Sequence, residues 1–185
     1  KKKEFSEDPE QFMNGLCSTM NHAVCHYGKE NKINSMGTTA AMLAFGKENV
    51  YSCNLGDSRI YQISSEGKLG QLSLDHVLGG GRFGKPPLTQ YLGIPEESMG
   101  LEPTIVPQKA EIGTRYLICS DGITDMLSDG EIADILTREI SVSETVELLV
   151  ERALIKGGRD NITVILCELV EQEKSLFGKL LNYFL

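Results

Sequence analysis

Two aspartates lie at the ends of apolar runs, where a pair of carboxylates could bind a cation. Asp121 directly follows a predicted strand over 115–120, and Asp160 directly precedes the predicted last strand, 161–169. If these strands are antiparallel neighbours, both carboxylates lie at the same end of one sheet, and adjacent glycines such as Gly122 let backbone and ions approach closely. Paired carboxylates suit hard, oxygen-preferring ions such as Mg²⁺ and Mn²⁺. From spacing alone, the alternative stays open that the two aspartates only begin a turn and cap a loop.

Other residues with chemical potential give weaker signals. His22, Cys25 and His26 form an H-x-x-C-H pattern on one predicted helix. Zinc needs four ligands in a closed site, and no second ligand pair follows, so we interpret these residues as packing residues. His76 stands beside Asp75 and is interpreted as a turn residue. The triple-glycine loop that follows lacks the Lys-Ser or Lys-Thr pair of a phosphate-binding P-loop.

An amphipathic helix is predicted near the N-terminus, over 10–27. Its apolar residues recur at helical spacing: Phe12, Leu16, Met20, Val24 and Tyr27. Gly28 is predicted to cap its C-terminus, and the charged residues 1–9 are predicted to be frayed.

The elements that must hold the two aspartates are short strands and two later helices. An apolar run of small residues ends at Phe45, and further strands are predicted over 49–55, 59–64 and 69–74. The glycines and prolines of 78–87 predict a loop. The later helices begin at Ser128 and Ser141, each with a glutamate three residues on, as in a capping box. Because helices and strands do not alternate strictly, the pattern favours an α+β fold with antiparallel sheets.

The composition is that of a globular protein with an excess of acid. Lys and Arg number 18 and Asp and Glu number 26, so the formal net charge is −8. This balance argues against a groove that tracks nucleic-acid phosphates. No run of about 18 apolar residues predicts a membrane span. Five cysteines without a C-x-x-C pair indicate a reducing, cytoplasmic setting.

Six short motifs occur in order between residues 36 and 168. They are Gly37-Thr38-Thr39, Asn54-Leu55-Gly56-Asp57-Ser58-Arg59, Asp75-His76, Leu88 to Gly93, Cys119 to Asp125, and Gly158-Arg159-Asp160-Asn161. Each match is weak by itself, whereas six in one order at these spacings are specific. Together they resemble the metal-dependent protein phosphatases of the PP2C family.

The resemblance implies both a fold and a reaction. The fold is an α+β, PP2C-like four-layer αββα sandwich of two antiparallel β-sheets flanked by helices. The reaction is hydrolysis of phosphoserine and phosphothreonine on proteins, in which a hydroxide held at a two-metal centre of Mn²⁺ or Mg²⁺ attacks phosphorus. The implied partners are phosphorylated proteins, the products of a serine/threonine kinase.

The resemblance also assigns roles to residues, motif by motif. Asp121 and Asp160 match metal ligands of the family. Asp75 is similar to a carboxylate that binds a third, weaker ion in bacterial members. Asp57 and Arg59 match a motif that is mainly structural in the family, so we expect them to be framework residues.

The chain departs from the family pattern at two places. Nothing before Met36 resembles the family's early acidic motif, its phosphate-binding arginine, or the Asp-Gly-x-Gly-Gly segment whose aspartate bridges both metals. We therefore expect the N-terminal strands of the sandwich to be missing and an edge or an apolar face to be exposed. The segment after Asp75-His76 is shorter than the flap of the family, which leaves substrate choice open.

These departures keep an alternative function open, a catalytically incomplete phosphatase-like domain (a pseudophosphatase) that binds or regulates a partner. A phosphatase of the same fold that acts on an anti-sigma-factor antagonist is less favoured, because the chain carries Gly-Asp-Ser-Arg. We predict one phosphatase domain over 1–170 and a C-terminal amphipathic tail over 171–185. The apolar residues of the tail are Leu176, Phe177, Leu180, Leu181 and Phe184.

Overall fold

Two antiparallel sheets form the centre of the computed structural model, which describes residues 2–79, 85–95 and 97–171. The first half of the chain forms α1 (Lys2–Glu7), α2 (Pro9–Glu30), β1 (Ala40–Phe45), β2 (Asn49–Leu55), β3 (Arg59–Ile63) and β4 (Leu69–Gln71). The second half forms β5 (Thr104–Lys109), β6 (Arg115–Cys119), α3 (Asp121–Thr124), α4 (Asp129–Leu136), α5 (Val142–Ile155) and β7 (Val164–Glu168).

The strands are arranged in a three-stranded sheet, β1-β2-β5, and a four-stranded sheet, β4-β3-β6-β7. Every neighbouring pair is antiparallel. Strand β5 was not expected from the sequence, because Pro107 within it is a signal against a strand. The strand lies at an edge of its sheet, where a residue without a backbone N–H is tolerated.

Helices cover the outer face of each sheet. On the four-stranded sheet, α4 and α5 bury an apolar cluster that includes Leu117, Ile132 and Leu149. On the three-stranded sheet, α2 packs through Met13 and Cys17. The layers therefore run helix, sheet, sheet, helix, which confirms the predicted four-layer αββα sandwich.

One side of the sandwich is open, as expected from the sequence. In the register of the sheets, Phe45 of β1 and Ile165 of β7 lie on the faces that the two sheets turn toward each other. The Phe45 ring contacts the buried Tyr116 ring at 6.3 Å between centroids. Phe45 nevertheless keeps 49% of its surface exposed and Ile165 keeps 57%. These residues form the apolar face that was expected to be exposed.

The N-terminal helix differs from its prediction in the face that it buries. Met13 and Cys17 are fully buried, whereas Leu16 and Tyr27 of the predicted stripe are largely exposed. The most buried residues lie one position after those of the predicted stripe, and they include Asn21. The Asn21 amide donates to Ile94 O at 2.9 Å and accepts from Gly93 N at 2.7 Å. A polar residue that is buried for its hydrogen bonds does not follow the hydrophobic pattern.

The ends of this helix also differ from expectation. It continues through the predicted cap Gly28 to Glu30 and ends at Asn31. Residues that were expected to be frayed form α1, because Phe5 packs edge-on against Phe12 and Tyr51, with ring centroids 5.7 and 5.8 Å away. Aromatic packing of this kind fixes a short helix that its own propensity would not hold.

Both predicted capping boxes are present and start α4 at Ser128 and α5 at Ser141. No helix in the described ranges is long and apolar enough to cross a membrane. The predicted tail helix lies outside the described residues, apart from Glu171. The division at residue 170 stays a prediction.

Candidate metal centre

The pairing of β6 with β7 brings Asp121 and Asp160 to the same end of the four-stranded sheet. Cys119, the last residue of β6, is opposite Val164, the first residue of β7. Beyond this pair, Ser120 joins the two segments: its N–H donates to Thr163 O at 3.0 Å and its hydroxyl donates to Asn161 O at 3.1 Å. The antiparallel arrangement that was inferred from the sequence is therefore confirmed.

Gly122 permits the close approach of these two segments. A Cβ added at this position would lie 2.3 Å from Asn161 O, far inside van der Waals contact. Gly122 has an ordinary helical backbone, so the space for a side chain, and not the backbone conformation, requires glycine here. This is the role that the sequence suggested for a glycine beside Asp121.

Asp160 is held by its own loop. Its Oδ1 accepts from Asn161 N at 2.8 Å. This hydrogen bond, together with the neighbouring Lys85 ammonium, lowers the pKa of the Asp160 carboxyl below its usual range. Asp160 is therefore anionic at neutral pH, as a metal ligand must be.

Lys85 contacts three aspartates at this end of the sheet. Its Nζ donates to Asp121 Oδ2, and it lies 3.1 Å from Asp160 Oδ2 and 3.0 Å from Asp125 Oδ2. These hydrogen bonds, that to Asp121 above all, raise the pKa of the Lys85 ammonium. We call Asp121, Asp125 and Asp160 the acidic cluster.

Asp125 and Lys85 were not assigned a role from the sequence. A signal for Asp125 was available, because residues four apart share one face of a helix and α3 begins at Asp121. Asp125 N also donates to Asp121 O at 2.8 Å. No local signal pointed to Lys85, which is separated by 36 residues from Asp121 and by 75 from Asp160.

Asp57, in the turn between β2 and β3, lies within electrostatic reach of the cluster. Burial, and then the negative charge of Asp121, raise the pKa of the Asp57 carboxyl. Asp57 is therefore a fourth carboxyl near the three carboxylates that contact Lys85. The framework role predicted for Asp57 stays a prediction.

Asp75 is engaged elsewhere. Arg59 binds it as a bidentate partner, a fork in which Nε lies 3.0 Å from both carboxylate oxygens and Nη2 lies 2.7 Å from Oδ2. The same guanidinium donates to Tyr61 Oη at 2.9 Å and reaches Asp129 at 3.5 Å. Within the described ranges, Asp75 shares no hydrogen bond or ion pair with Lys85 or the acidic cluster. The framework role predicted for Arg59, like that of Asp57, stays a prediction.

The histidines lie outside the acidic cluster, and His76, which was interpreted as a turn residue, is buried. His76 is buried, its Nδ1 accepts from Gly56 N at 3.1 Å, and its Nε2 lies 2.9 Å from Thr104 Oγ1. Burial lowers the pKa of this imidazole. In the H-x-x-C-H pattern, Cys25 donates to Ile94 O at 3.4 Å and His26 pairs with Glu30 at 3.3 Å. These residues do not converge as zinc ligands among the residues that the structure describes.

The acidic cluster has the donor chemistry that Mn²⁺ or Mg²⁺ prefers. The part of the chain that the structure describes contains no ready-made group of three metal-ligating side chains. The carboxylates surround an ammonium at hydrogen-bond distance, whereas oxygen ligands bind Mg²⁺ at roughly 2.0–2.1 Å. Three carboxylates already converge on one cationic atom, Lys85 Nζ. The residues therefore suit a hard cation in chemical type.

A two-sheet sandwich between helices, with carboxylates gathered at one end of a sheet, defines an α+β protein with an acidic sheet end. The sequence model described as Protein phosphatase 2C matches residues 1–156. The chain belongs to this family of protein phosphatases. The match begins at residue 1, so it includes the N-terminal helices, which lie before the first motif recognised in the sequence.

Curated relatives agree with this assignment. The serine/threonine phosphatase stp of Listeria welshimeri is 32% identical over 175 residues, which cover 88% of this chain and 69% of that protein. The protein phosphatase PhpP of Streptococcus pneumoniae is 33% identical over 167 residues, covering 83% of this chain and 66% of that protein.

Solved structures share the fold. The serine/threonine phosphatase of S. agalactiae aligns with a TM-score of 0.77 and 28% identity, covering 89% of this chain and 72% of that one. The catalytic domain of the phosphatase PstP, in complex with two manganese ions, aligns with a TM-score of 0.70 and 32% identity. That alignment covers 82% of this chain and 67% of the PstP chain.

Proposed function

We propose that this chain hydrolyses phosphoserine and phosphothreonine on proteins, at a centre that binds Mn²⁺ or Mg²⁺. The observation that carries the proposal is the convergence of Asp121, Asp125 and Asp160 on one cationic atom at the end of a rigid sheet. Membership of the phosphatase family and the two manganese ions of the PstP structure support it.

In this proposal Asp121 and Asp160 hold the ions, and Asp125 is an additional ligand or orients one. When bound, the ions supply an activated water and stabilise the charge that develops on the phosphoryl group. The chain itself supplies the rigidity of the site, because Ser120 and Gly122 fix the two segments that carry the ligands. Fixed ligands lose little entropy when a cation binds.

Asp75 remains our proposed ligand for a third, weaker ion. Both of its oxygens accept from Arg59, and Oδ1 also accepts from Gln71 at 3.0 Å. A third ion at Asp75 therefore has to displace part of the Arg59 fork, which is consistent with weak binding.

The proposed substrates are proteins phosphorylated on serine or threonine by a kinase; the similarity to a serine/threonine phosphatase and a protein phosphatase supports the phosphoprotein part of this proposal. The net charge of −8 favours protein over nucleic-acid substrates. The cytoplasmic setting predicted from the cysteines remains a prediction, and all five cysteines are free thiols.

A second candidate function is favoured by one observation. Lys85 and Arg59 already form ion pairs with the carboxylates that would bind metal. A phosphatase-like domain that binds a partner without turnover would have this arrangement.

Release of phosphate from a phosphothreonine peptide, measured against Mn²⁺ concentration, separates the two functions. The wild-type chain is expected to turn over at millimolar Mn²⁺ and to stop with EDTA. Asp160→Asn should reduce the rate by at least about 100-fold, because it removes a ligand. Asp134→Asn, at an exposed position of α4, is the matched control and should stay within about twofold.

The free energy of unfolding without metal provides the second readout. Asp160→Asn should change it by less than about 1 kcal/mol, because neutralising one member of an acidic cluster also relieves repulsion. A loss above about 2 kcal/mol would assign Asp160 a structural role. Absence of turnover in the wild-type chain at millimolar Mn²⁺ would leave either a part of a phosphatase that needs further residues for catalysis or a binding domain.

A further inference from the structure

Lys85 is held at the acidic cluster by the backbone that follows it. Pro86 and Pro87 restrict the main chain next to it. The segment is anchored to its neighbour by Leu78 N donating to Pro87 O at 3.0 Å and by an antiparallel bridge between Val77 and Leu88. The lysine is therefore followed directly by an anchored segment.

The ammonium and a divalent cation need the same atoms. Lys85 contacts Oδ2 of each member of the cluster, Asp121, Asp125 and Asp160. One positive charge against three carboxylates leaves a local formal charge of 1 − 3 = −2. The site consequently still attracts a divalent ion, but that ion cannot approach these oxygens while the ammonium occupies the space between them.

The lysine side chain can also leave. Half of its surface, 50%, is exposed, and a flexible four-carbon stem carries a charge that water hydrates strongly. Displacement therefore requires rotation of one side chain and no movement of the backbone.

We propose that Lys85 sets the metal affinity of this centre by competing, as a built-in counter-cation, with the divalent ion for Asp121, Asp125 and Asp160. This inference rests on the proposed function, since it assigns a second occupant to the proposed metal centre. Lys85 keeps the carboxylates paired when metal is scarce and is displaced when metal is abundant. Loss of its charge then makes the centre bind metal more tightly.

Binding of Mn²⁺, measured from the electron paramagnetic resonance signal of the free ion, tests the proposal without reference to turnover. Lys85→Met removes the charge and keeps the stem. Its Kd for Mn²⁺ should be about five- to tenfold lower than that of the wild-type chain at low salt. The difference should shrink at about 0.5 M salt, because salt screens the ammonium and weakens its competition.

Lys68→Met is the matched control. Lys68 is exposed in the turn between β3 and β4, at the opposite end of the sheet from the acidic cluster. The substitution therefore removes one positive charge far from the acidic cluster. Its Kd should change by less than about twofold.

The outcomes separate this inference from the proposed function. Equal Mn²⁺ affinity in wild type and Lys85→Met, with binding lost in Asp160→Asn, would overturn the competition and leave the metal centre intact. Weaker binding in Lys85→Met would also overturn it, because Lys85 would then assist the metal. Absence of Mn²⁺ binding in both the wild type and Lys85→Met would overturn the metal centre and the competition together.

Discussion

Two cation–carboxylate networks lie at the same end of the four-stranded sheet and differ in how firmly their cation is held. Arg59 is the first residue of β3, pairs with Cys119 across the sheet, and has a side chain that is 26% exposed. Lys85 lies on a connecting segment and its side chain is 50% exposed. Both cations contact aspartates, yet one side chain belongs to a strand and the other projects from a loop.

The chemistry of the two cations increases this difference. The planar guanidinium of Arg59 binds Asp75 as a fork and also donates to Tyr61 Oη, an arrangement with fixed geometry. The ammonium of Lys85 is a point charge that contacts three separate residues. From this comparison we expect the network of the forked, less exposed arginine to be structural and the network of the more exposed lysine to be exchangeable.

The largest effect in this comparison is expected from removing each cation in turn. Arg59→Met should lower the free energy of unfolding by about 2 to 3 kcal/mol, because it removes the guanidinium that pairs with Asp75 and donates to Tyr61 in a partly buried position. Lys85→Met should change it by less than about 0.5 kcal/mol, since its pairs are exposed. Urea unfolding of the two variants without metal measures both. Equal losses would show that the two networks are held alike.

A smaller effect is expected from separating the segments that carry the cluster. Gly122→Ala places a Cβ against Asn161 O and should cost about 1 to 2 kcal/mol while weakening Mn²⁺ binding. Gly130→Ala in α4 is the control, because open space surrounds it, and it should stabilise by about 0.5 to 1 kcal/mol. Thermal unfolding and Mn²⁺ titration of both variants test this. Unchanged Mn²⁺ affinity in Gly122→Ala would mean that the spacing of the segments does not position the ligands.

The smallest effect is expected at an exposed pair, Lys156 with Glu131 of the α4 capping box. Lys156 and the Ser128 cap lower the pKa of Glu131 from 4.5 to about 2. A carboxyl whose pKa is lowered by folding stabilises the protein at any pH above its pKa in the unfolded chain. This contribution is lost as the pH falls toward and through its pKa in the folded protein. Glu131→Gln should therefore lower the melting temperature slightly at pH 7, with the difference disappearing between pH 4.5 and about 2.

Glu144→Gln provides the matched control for that effect. Glu144 belongs to the same kind of capping box in α5, and its pKa is lowered by the Ser141 cap. The described contacts of Glu144 include no lysine. A shift in melting temperature as large as that of Glu131→Gln would show that the caps, and not the ion pair, cause the effect.

The sequence predicted the parts of the fold that depend on neighbouring residues. Both capping boxes could be identified because Ser128 and Ser141 each act on a glutamate three residues away. The proximity of Asp121 and Asp160 could be inferred because each bounds an apolar strand. Strand β5 could not, because its stability comes from pairing with β2 and its proline obscures the local signal.

The parts of the site that were missed depend on contacts between distant segments. Lys85 reaches the cluster only because Leu78 and Leu88 are held by the surrounding chain, and no spacing in the sequence indicates this. The pairing of Asp75 with Arg59 was not predicted either, and the role of Asp75 as a metal ligand stays a prediction. Asp125 is different, since its spacing from Asp121 on α3 was a local signal that was not used.

The central claim is that the acidic cluster is a cation site that a divalent ion and Lys85 share. Anomalous difference density from crystals soaked in Mn²⁺ tests it most directly. The account predicts manganese peaks bounded by Asp121 and Asp160, with Lys85 Nζ moved out of hydrogen-bond distance of both carboxylates. Lys85 still in contact with Asp121 and Asp160, with no manganese between them at millimolar Mn²⁺, would contradict it.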